Sequence, residues 1–272
     1  MTSGAAHELV TALDRVDQGF VVVITGAGIS LASGIPTFRG SDPDAVWKRD
    51  VTELATRRYF LEDPVGSWQW YTSRFDMVLT KEPNEAHRSL VSIERRQLSR
   101  GGRFLLVTQN IDLLHEKAGA GELVKVHGSA DRVRCSKEGC VHGAPAGSLP
   151  RCDIDMTAFE EDPRRETAPS CPVCGSLLRP HVLWFDEMYD EHRDYQWPRV
   201  LDSVVAMELA LFVGTSFSVG VTELFLEAGL RTGIPMFAID PGVAEFPVPG
   251  MTLLREESEE LLPAVSRILG AE

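Results

Sequence analysis

Two rhythms alternate along the chain. Leu9, Leu13 and Val16 recur at helical spacing and predict a first helix over about residues 6 to 17. Val21, Val22, Val23 and Ile24 then run without a polar break into Thr25, the pattern of a strand buried on both faces. Both patterns return downstream. Helices are predicted over His87–Leu98, through Leu113 and Leu114 to Gly119, over Thr222–Arg231 and over Glu257–Leu269, and strands over Arg103–Thr108, Glu122–Val126, Glu208–Val213 and Met236–Asp240. Strands alternating with helices imply an α/β fold with a parallel sheet covered on both faces.

Two intervals break this alternation. From Ser41 to about Pro83 the chain is irregular and aromatic, with Trp47, Tyr59, Phe60, Trp68, Trp70, Tyr71 and Phe75, and reads as a small helical insertion. Between 132 and 180 cysteine, proline, glycine and charge dominate, as in a metal-held insertion with little core of its own. The expected organisation is a sheet domain from 1–40, 84–131 and 181–272, a helical module at 41–83 and a metal-binding module at 132–180.

A parallel sheet binds its ligand outside the carboxyl ends of its strands. The polar candidates lie there: Thr25 to Ser30 after the first strand, TQNID (108 to 112) after another, HGS (127 to 129) after a third, GTS (214 to 216) after a fourth and Asp240 after a fifth. In the first of these, GAGIS, the small residues Gly26, Ala27 and Gly28 precede what reads as a helix start at Ile29 and Ser30. Backbone N–H groups and the helix dipole favour a phosphate at such a turn. As a dinucleotide fingerprint it is irregular, because the third glycine falls at Gly34 and no acidic residue closes a second strand at the usual distance. Alone it is equally a plain strand-to-helix connection; the convergence of five strand ends on one crevice singles it out.

Composition narrows the partners. A chain of 272 residues can bury a large core, and no secretory pattern or membrane-length apolar run is present, so a cytoplasmic protein with no membrane partner is expected. The net charge of −13 argues against nucleic acid, and suits either a basic peptide partner or simple solubility. Of the five cysteines, Cys135 pairs closely with Cys140 and Cys171 with Cys174, while Cys152 stands alone. Such pairing in a cytosolic chain suggests one structural zinc ion (Zn2+) rather than disulfides. The spacing departs from a plain double CxxC, and four thiolates leave no open position for catalysis.

Taken together, GAGIS, SGIPTFRG, TQNID with LHEKAG, VHGS, the two cysteine pairs, HVLWF and GTS occur in the order seen in the sirtuins, the NAD-dependent protein lysine deacylases, which the chain resembles over nearly its whole length. The resemblance implies a Rossmann-like NAD-binding domain, and a small domain of zinc and helical modules, with NAD and acyl-lysine in the cleft between. It further implies that the acyl oxygen attacks the ribose carbon bearing nicotinamide, and that the resulting alkylimidate resolves to free lysine and O-acyl-ADP-ribose. On this basis Gln109, Asn110 and Asp112 with Ile35 line the nicotinamide pocket, and Phe38 shields the reacting ribose. Gly26, Ala27, Gly28, Ser30 and Arg39 serve the phosphates and nearby ribose, while Gly214, Thr215, Ser216 and Asp240 serve the adenosine half. His127 is the candidate general base, since imidazole suits proton removal near neutrality. A histidine after a strand is commonly structural, and amides at a loop start are commonly turn residues; it is the HGS and TQNID contexts that favour chemistry.

Tyr71 and Arg74, one helical turn apart and shortly before EPNEAHR, match the Tyr and Arg that mark sirtuins removing succinyl, malonyl or glutaryl groups, and Thr37 stands where deacetylating members commonly carry Asp. A guanidinium pairs bidentately with an acyl carboxylate and a phenol adds a hydrogen bond. Val182, Leu183 and Trp184, followed by Phe185, are expected to take the peptide as an added strand. Leu113, Phe217 and Asp240 depart from the family pattern. The same NAD cleavage would also serve a protein ADP-ribosyltransferase, and an inactive copy would be an NAD-sensing module; the intact Gln109, Asn110, Asp112 and His127 speak against the latter. The sequence leaves the oligomeric state open.

Overall fold

A strand without a charged residue is stable only where both of its faces are covered. In the computed structural model of the protein, which describes residues 4–37, 51–217, 219–242 and 250–271, β1 (Phe20–Thr25) sits in that position, with all six residues buried and a strand on either side. The chain runs α1 (Gly4–Arg15), β1, a 3-10 helix (Ala27–Ser33), α2 (Val51–Leu54), α3 (Arg57–Glu62), α4 (Pro64–Leu79), α5 (Glu85–Ser99), β2 (Arg103–Thr108), α6 (Leu114–Ala118) and β3 (Leu123–Lys125). It continues through β4 (Gly128–Cys135), β5 (Leu149–Pro150), α7 (Thr157–Glu161), β6 (Leu178–Val182), α8 (Trp197–Ala206), β7 (Leu209–Val213), α9 (Gly220–Thr232), β8 (Met236–Ile239), β9 (Met251–Leu254) and α10 (Ser258–Ile268).

The main sheet has six parallel strands in the order β3-β2-β1-β7-β8-β9. Side chains alternate across it. Val21, Val23, Leu106 and Leu211 pack under α1, α5 and α10 through Leu9, Leu90 and Leu262. Val22, Ile24, Val107 and Phe212 pack on the opposite face against Val200 and Val204 of α8 and Phe225 of α9. Each such side chain contributes about 1.5–3 kcal/mol by burial. Asn84 caps α5 by accepting from the N–H groups of Ala86 (3.0 Å) and His87 (3.4 Å), and its own amide donates to the Ile29 carbonyl at 2.8 Å. The start of α5 is thereby tied to the loop after β1.

Three features differ from the sequence expectation. The turn after β1 opens into a seven-residue 3-10 helix, not an α-helix. Helix α8 and the short edge strand β9 were not anticipated: β9 is only four residues long and mostly half-buried, so it carries no unbroken apolar run. The cysteine-bearing interval carries a three-stranded antiparallel sheet, β5-β4-β6, that starts at Gly128 and ends at Val182, so both expected edges, 132 and 180, fall inside strands.

The aromatic helices and this small sheet share one core. Phe60, Trp68, Tyr71 and Phe75 pack with Val133, Leu178, Cys135, Cys171 and Trp184, and the Trp68 indole donates to the Leu178 carbonyl at 2.9 Å. Behind it lies a buried ionic cluster. Glu187 accepts from Arg134 at 3.1 and 3.2 Å, from Arg179 Nη2 at 3.0 Å and Nη1, and from the Trp184 N–H at 3.1 Å. Burial alone would raise the Glu187 pKa, but the Arg179 hydrogen bonds and the two guanidinium charges hold it below the usual carboxylate range. Among the described residues no helix is long and apolar enough to cross a membrane.

Removing one charge from a buried cluster leaves its partners uncompensated, which costs about 3–5 kcal/mol. Glu187→Gln is therefore expected to lower unfolding free energy by about 3 kcal/mol or more at neutral pH. The stabilisation linked to ionised Glu187 is complete above the ordinary carboxylate pKa and is lost as pH falls through the depressed folded value. Denaturant titrations at neutral and acid pH should show the gap between wild type and variant closing in acid.

Candidate functional site

Parallel strands deliver their carboxyl ends to one side, and here the loops that follow them are stitched to one another. The Gly26 N–H donates to Val213 O at 3.0 Å, Gly28 N–H to Gly214 O at 2.9 Å, Gln109 N–H to Thr25 O at 3.0 Å and Gly214 N–H to Ile239 O at 3.0 Å. The glycines are required by this stitching. A β-carbon on Gly26 would lie 2.7 Å from Gly214 O, one on Gly28 would lie 2.6 Å from Gly214 Cα, and Gly214 itself has φ +58°. Their smallness serves the approach of two backbone turns.

A polar chain lines this floor. The Asn110 amide donates both protons, to Gly26 O at 3.0 Å and Ser30 Oγ at 3.2 Å, which leaves its Oδ1 as an acceptor. Ser30 in turn donates to Asp112 Oδ2 at 3.0 Å, and Asp112 Oδ1 accepts from the Leu114 N–H at 3.0 Å, capping α6. Burial raises the Asp112 pKa, against the pull of these two hydrogen bonds. Gln109 donates to Thr215 Oγ1 at 3.2 Å and so joins the β2 and β7 loops. Ile35 is buried nearby in sequence, and Ala27 is half-buried; Ser216 is exposed and Asp240 half-buried, its carboxylate accepting from the Gly242 N–H at 2.8 Å. Phe38 and Arg39 lie outside the described residues. Phe217, flagged by sequence, takes a left-handed φ of 54° and packs on Phe212.

His127 stands between β3 and β4. A carbonyl can only accept, so the 2.8 Å contact between His127 Nδ1 and Gln109 O places the ring proton on Nδ1. Nε2 is then the nitrogen with the lone pair, and it faces the hydroxyl of Tyr189 at 3.3 Å. Burial pushes the His127 pKa down to about 4, partly offset by the Gln109 bond. The ring is neutral at physiological pH and able to accept a proton. Tyr189 was not singled out from sequence, because nothing local marks a tyrosine on a long loop as a partner of a histidine far upstream.

Tyr71 and Arg74 share α4. Tyr71 is buried, its hydroxyl accepts from the Trp184 indole at 2.7 Å, and burial raises its pKa. Accepting that bond leaves the phenolic proton available to donate. Arg74 is half-buried, donates to Trp70 O at 2.8 Å and lies 4.2 Å over the Trp70 ring. The segment Val182–Phe185, expected to take the peptide as an added strand, already has its N–H groups paired. Val182 pairs with Gly128, and the N–H groups of Leu183, Trp184 and Phe185 donate to His127 O, Glu187 Oε2 and Ala55 O at 3.0, 3.1 and 3.0 Å. With those donors committed, Trp184 acts as a buried post for Tyr71, while Phe185 is exposed.

The sulfurs of Cys135 and Cys174 are 3.5 Å apart and those of Cys140 and Cys171 3.7 Å, with all four within 4.8 Å of one another. Zinc–thiolate bonds of about 2.3 Å arranged tetrahedrally place sulfurs about 3.8 Å apart. The four cysteines fit a structural zinc site. Hydrogen bonds from Ser176 lower the pKa of the Cys174 thiol, which favours the thiolate a metal binds, while burial raises that of Cys135. Cys152 is exposed and takes no part. A second group of ligand-type side chains, His181, His192 and Asp194, is held by local hydrogen bonds: His192 Nε2 donates to Gly147 O at 3.1 Å and its Nδ1 accepts from the Asp194 N–H at 3.1 Å.

Comparison with known proteins places this geometry. The Sir2 family model matches residues 26–221. The chain is 39% identical over 222 residues to an NAD-dependent protein deacylase of Thermus thermophilus, covering 81% of this chain and 79% of that protein. It is 36% identical over 230 residues to the dog mitochondrial NAD-dependent protein deacylase sirtuin-5, covering 79% and 71%. A solved Sir2 homologue in complex with NAD superposes with a TM-score of 0.77 at 32% identity, covering 99% of this chain and 95% of that one.

Purified protein is expected to carry one zinc per chain by elemental analysis. Stripping it with a chelator, or replacing Cys171 with Ser, should expose the β4–β6 segment to protease while β1 and β2 stay protected; well-folded protein without zinc would count against the site.

Proposed function

The chain belongs to the Sir2 family and is an NAD-dependent protein deacylase, and from that premise we propose that it removes acidic acyl groups, succinyl, malonyl or glutaryl, from lysine side chains. The observation that carries the acyl preference is the pairing on α4. Tyr71 is locked by the Trp184 indole with its phenolic proton still to give, and Arg74 lies one turn further along the same helix. A carboxylate at the end of the acyl chain would accept from both. In a protein of net charge −13, a substrate bearing an extra negative charge needs such a local cation.

We assign the cofactor site to the loops at the carboxyl ends of β1, β2, β7 and β8. When bound, NAD supplies the electrophile, its ribose carbon losing nicotinamide and gaining the acyl oxygen. The residues fit that ligand chemically: Asn110 Oδ1 is a nearly buried acceptor with no partner among the described residues, suited to the N–H of a carboxamide. Gln109, Asp112 and Ile35 complete that end of the pocket. Ala27 and Ser30 are assigned to the phosphates and nearby ribose, and Thr215, Ser216 and Asp240 to the adenosine half. Because Asn110, Ser30 and Asp112 hold one another, they need not rearrange to receive the cofactor, and such preorganisation is what helps a weak amide nucleophile.

His127 is assigned as the general base, accepting a ribose hydroxyl proton at Nε2 while its Nδ1–H stays on Gln109 O. The depressed pKa keeps the base free of a proton throughout the physiological range.

Two measurements test this reading. Mass spectrometry of an acyl-lysine peptide panel with NAD is expected to show faster loss of succinyl than acetyl. Arg74→Met should cut succinyl kcat/KM by about tenfold to a hundredfold, the worth of a charged hydrogen bond, and spare acetyl; a preference for acetyl untouched by the variant would reject the pocket. His127→Ala should keep its fold and zinc and lose about a hundredfold or more in turnover, and near-normal deacylation by it would remove the base assignment.

A further inference from the structure

Tyr189 stands in the loop between β6 and α8, outside every motif that marks the family in this sequence. Its hydroxyl lies 3.3 Å from His127 Nε2, and the two rings stack with centroids 5.9 Å apart and 20° between planes. The phenol is itself fixed. It stacks on Trp197 at 4.5 Å and 13°.

These contacts determine where each proton sits. The His127 Nδ1–H is committed to the Gln109 carbonyl, so Nε2 can only accept. A nitrogen that can only accept takes its hydrogen bond from the phenol, so the Tyr189 O–H is the donor at Nε2. The donors therefore run in one direction, from Tyr189 O–H to His127 Nε2 and from His127 Nδ1–H to Gln109 O. They join the loop before α8 to the loop after β2 through the imidazole.

We propose that Tyr189 is a positioning residue for deacylation: it holds the His127 ring against its own and keeps Nε2 oriented and unprotonated until a substrate hydroxyl takes the place of the phenol there. The proposal rests on the reading of His127 as general base. A ring on each side of a loop tyrosine would also serve packing alone, and the hydroxyl separates the two roles. Packing needs the ring; positioning through Nε2 needs the O–H. Glu223 in α9 is the charged side chain that bears on the phenol, and burial together with that carboxylate keeps the phenol protonated.

The test compares Tyr189→Phe and Tyr189→Leu with wild type in the zinc-loaded full chain. Two quantities are read: the ionisation of the His127 imidazole by NMR without NAD, and kcat and kcat/KM against pH on the preferred acyl-peptide. A hydroxyl donating to Nε2 favours the neutral ring. In Tyr189→Phe the His127 midpoint should therefore rise, the acid limb of kcat/KM should move to higher pH, and kcat at neutral pH should fall about three- to tenfold, the usual worth of one hydrogen bond, with KM for the peptide little changed. Tyr189→Leu, lacking the ring as well, should lose more of kcat at unchanged zinc content. An unmoved His127 midpoint in Tyr189→Phe overturns the proposal, and so does a raised midpoint with an unmoved rate profile. The Phe variant decides the matter even if the Leu variant does not fold. Failure of the base reading shows separately, as near-normal turnover in His127→Ala.

Discussion

The approach of two backbone turns, Gly26–Gly28 against Gly214, is the contact on which the rest of the site depends. Neighbouring parallel strands bring their ends close, but side chains would hold the following loops apart. Here no β-carbon intervenes, and the backbone bonds Gly26 N–H to Val213 O and Gly28 N–H to Gly214 O close the gap. The Asn110 amide then finds Gly26 O and Ser30 within reach, and Gln109 finds Thr215. Moving Gly214 would pull apart both halves of the floor. An ordinary L-residue at Gly214 would also meet its left-handed φ, a second penalty on the same position.

Rigidity of a different origin supports the acyl side. The small sheet β5-β4-β6 and helices α3 and α4 are each too slight to enclose a core, and they bury one between them. Thiolates and the Glu187 cluster fix the same end of that sheet, since Cys135 and Arg134 are adjacent on β4 and Arg179 lies on β6. Arg179 also lies 3.2 Å from the centre of the Trp184 ring. Charge, metal-type ligands and aromatic packing thus act on the same few residues.

The main sheet was legible because its strands are covered on both faces, and covered strands leave unbroken apolar runs. The bounds of β2, Arg103–Thr108, coincide with the run in the sequence for that reason. Strand β9 left no such trace, being short and at an edge. The motif-bearing loops were legible as positions, since strand ends are countable, but their contacts were not. Gly26 and Gly28 looked like room for a ligand, and they also make room for Gly214, which no local pattern announces. Leu183, Trp184 and Phe185 looked like an open edge, yet their N–H groups are consumed by partners as distant in sequence as Ala55 and His127. Tyr189 left no signal, because its partner lies 62 positions away and periodicity speaks only of near neighbours.

The bond from the Trp184 indole to the Tyr71 hydroxyl joins a residue just beyond β6 to one on α4. It makes the cysteine centre and the Tyr71 phenol two ends of a single lever, with β6 as its arm. The cofactor floor hangs on a different frame, the parallel sheet. A disturbance of the thiols, by oxidation or loss of the ion, would accordingly reach Tyr71 through β6. Ile35 and Leu114 lie in the same buried core as Tyr71, so the disturbance would reach the loops after β1 and β2 as well.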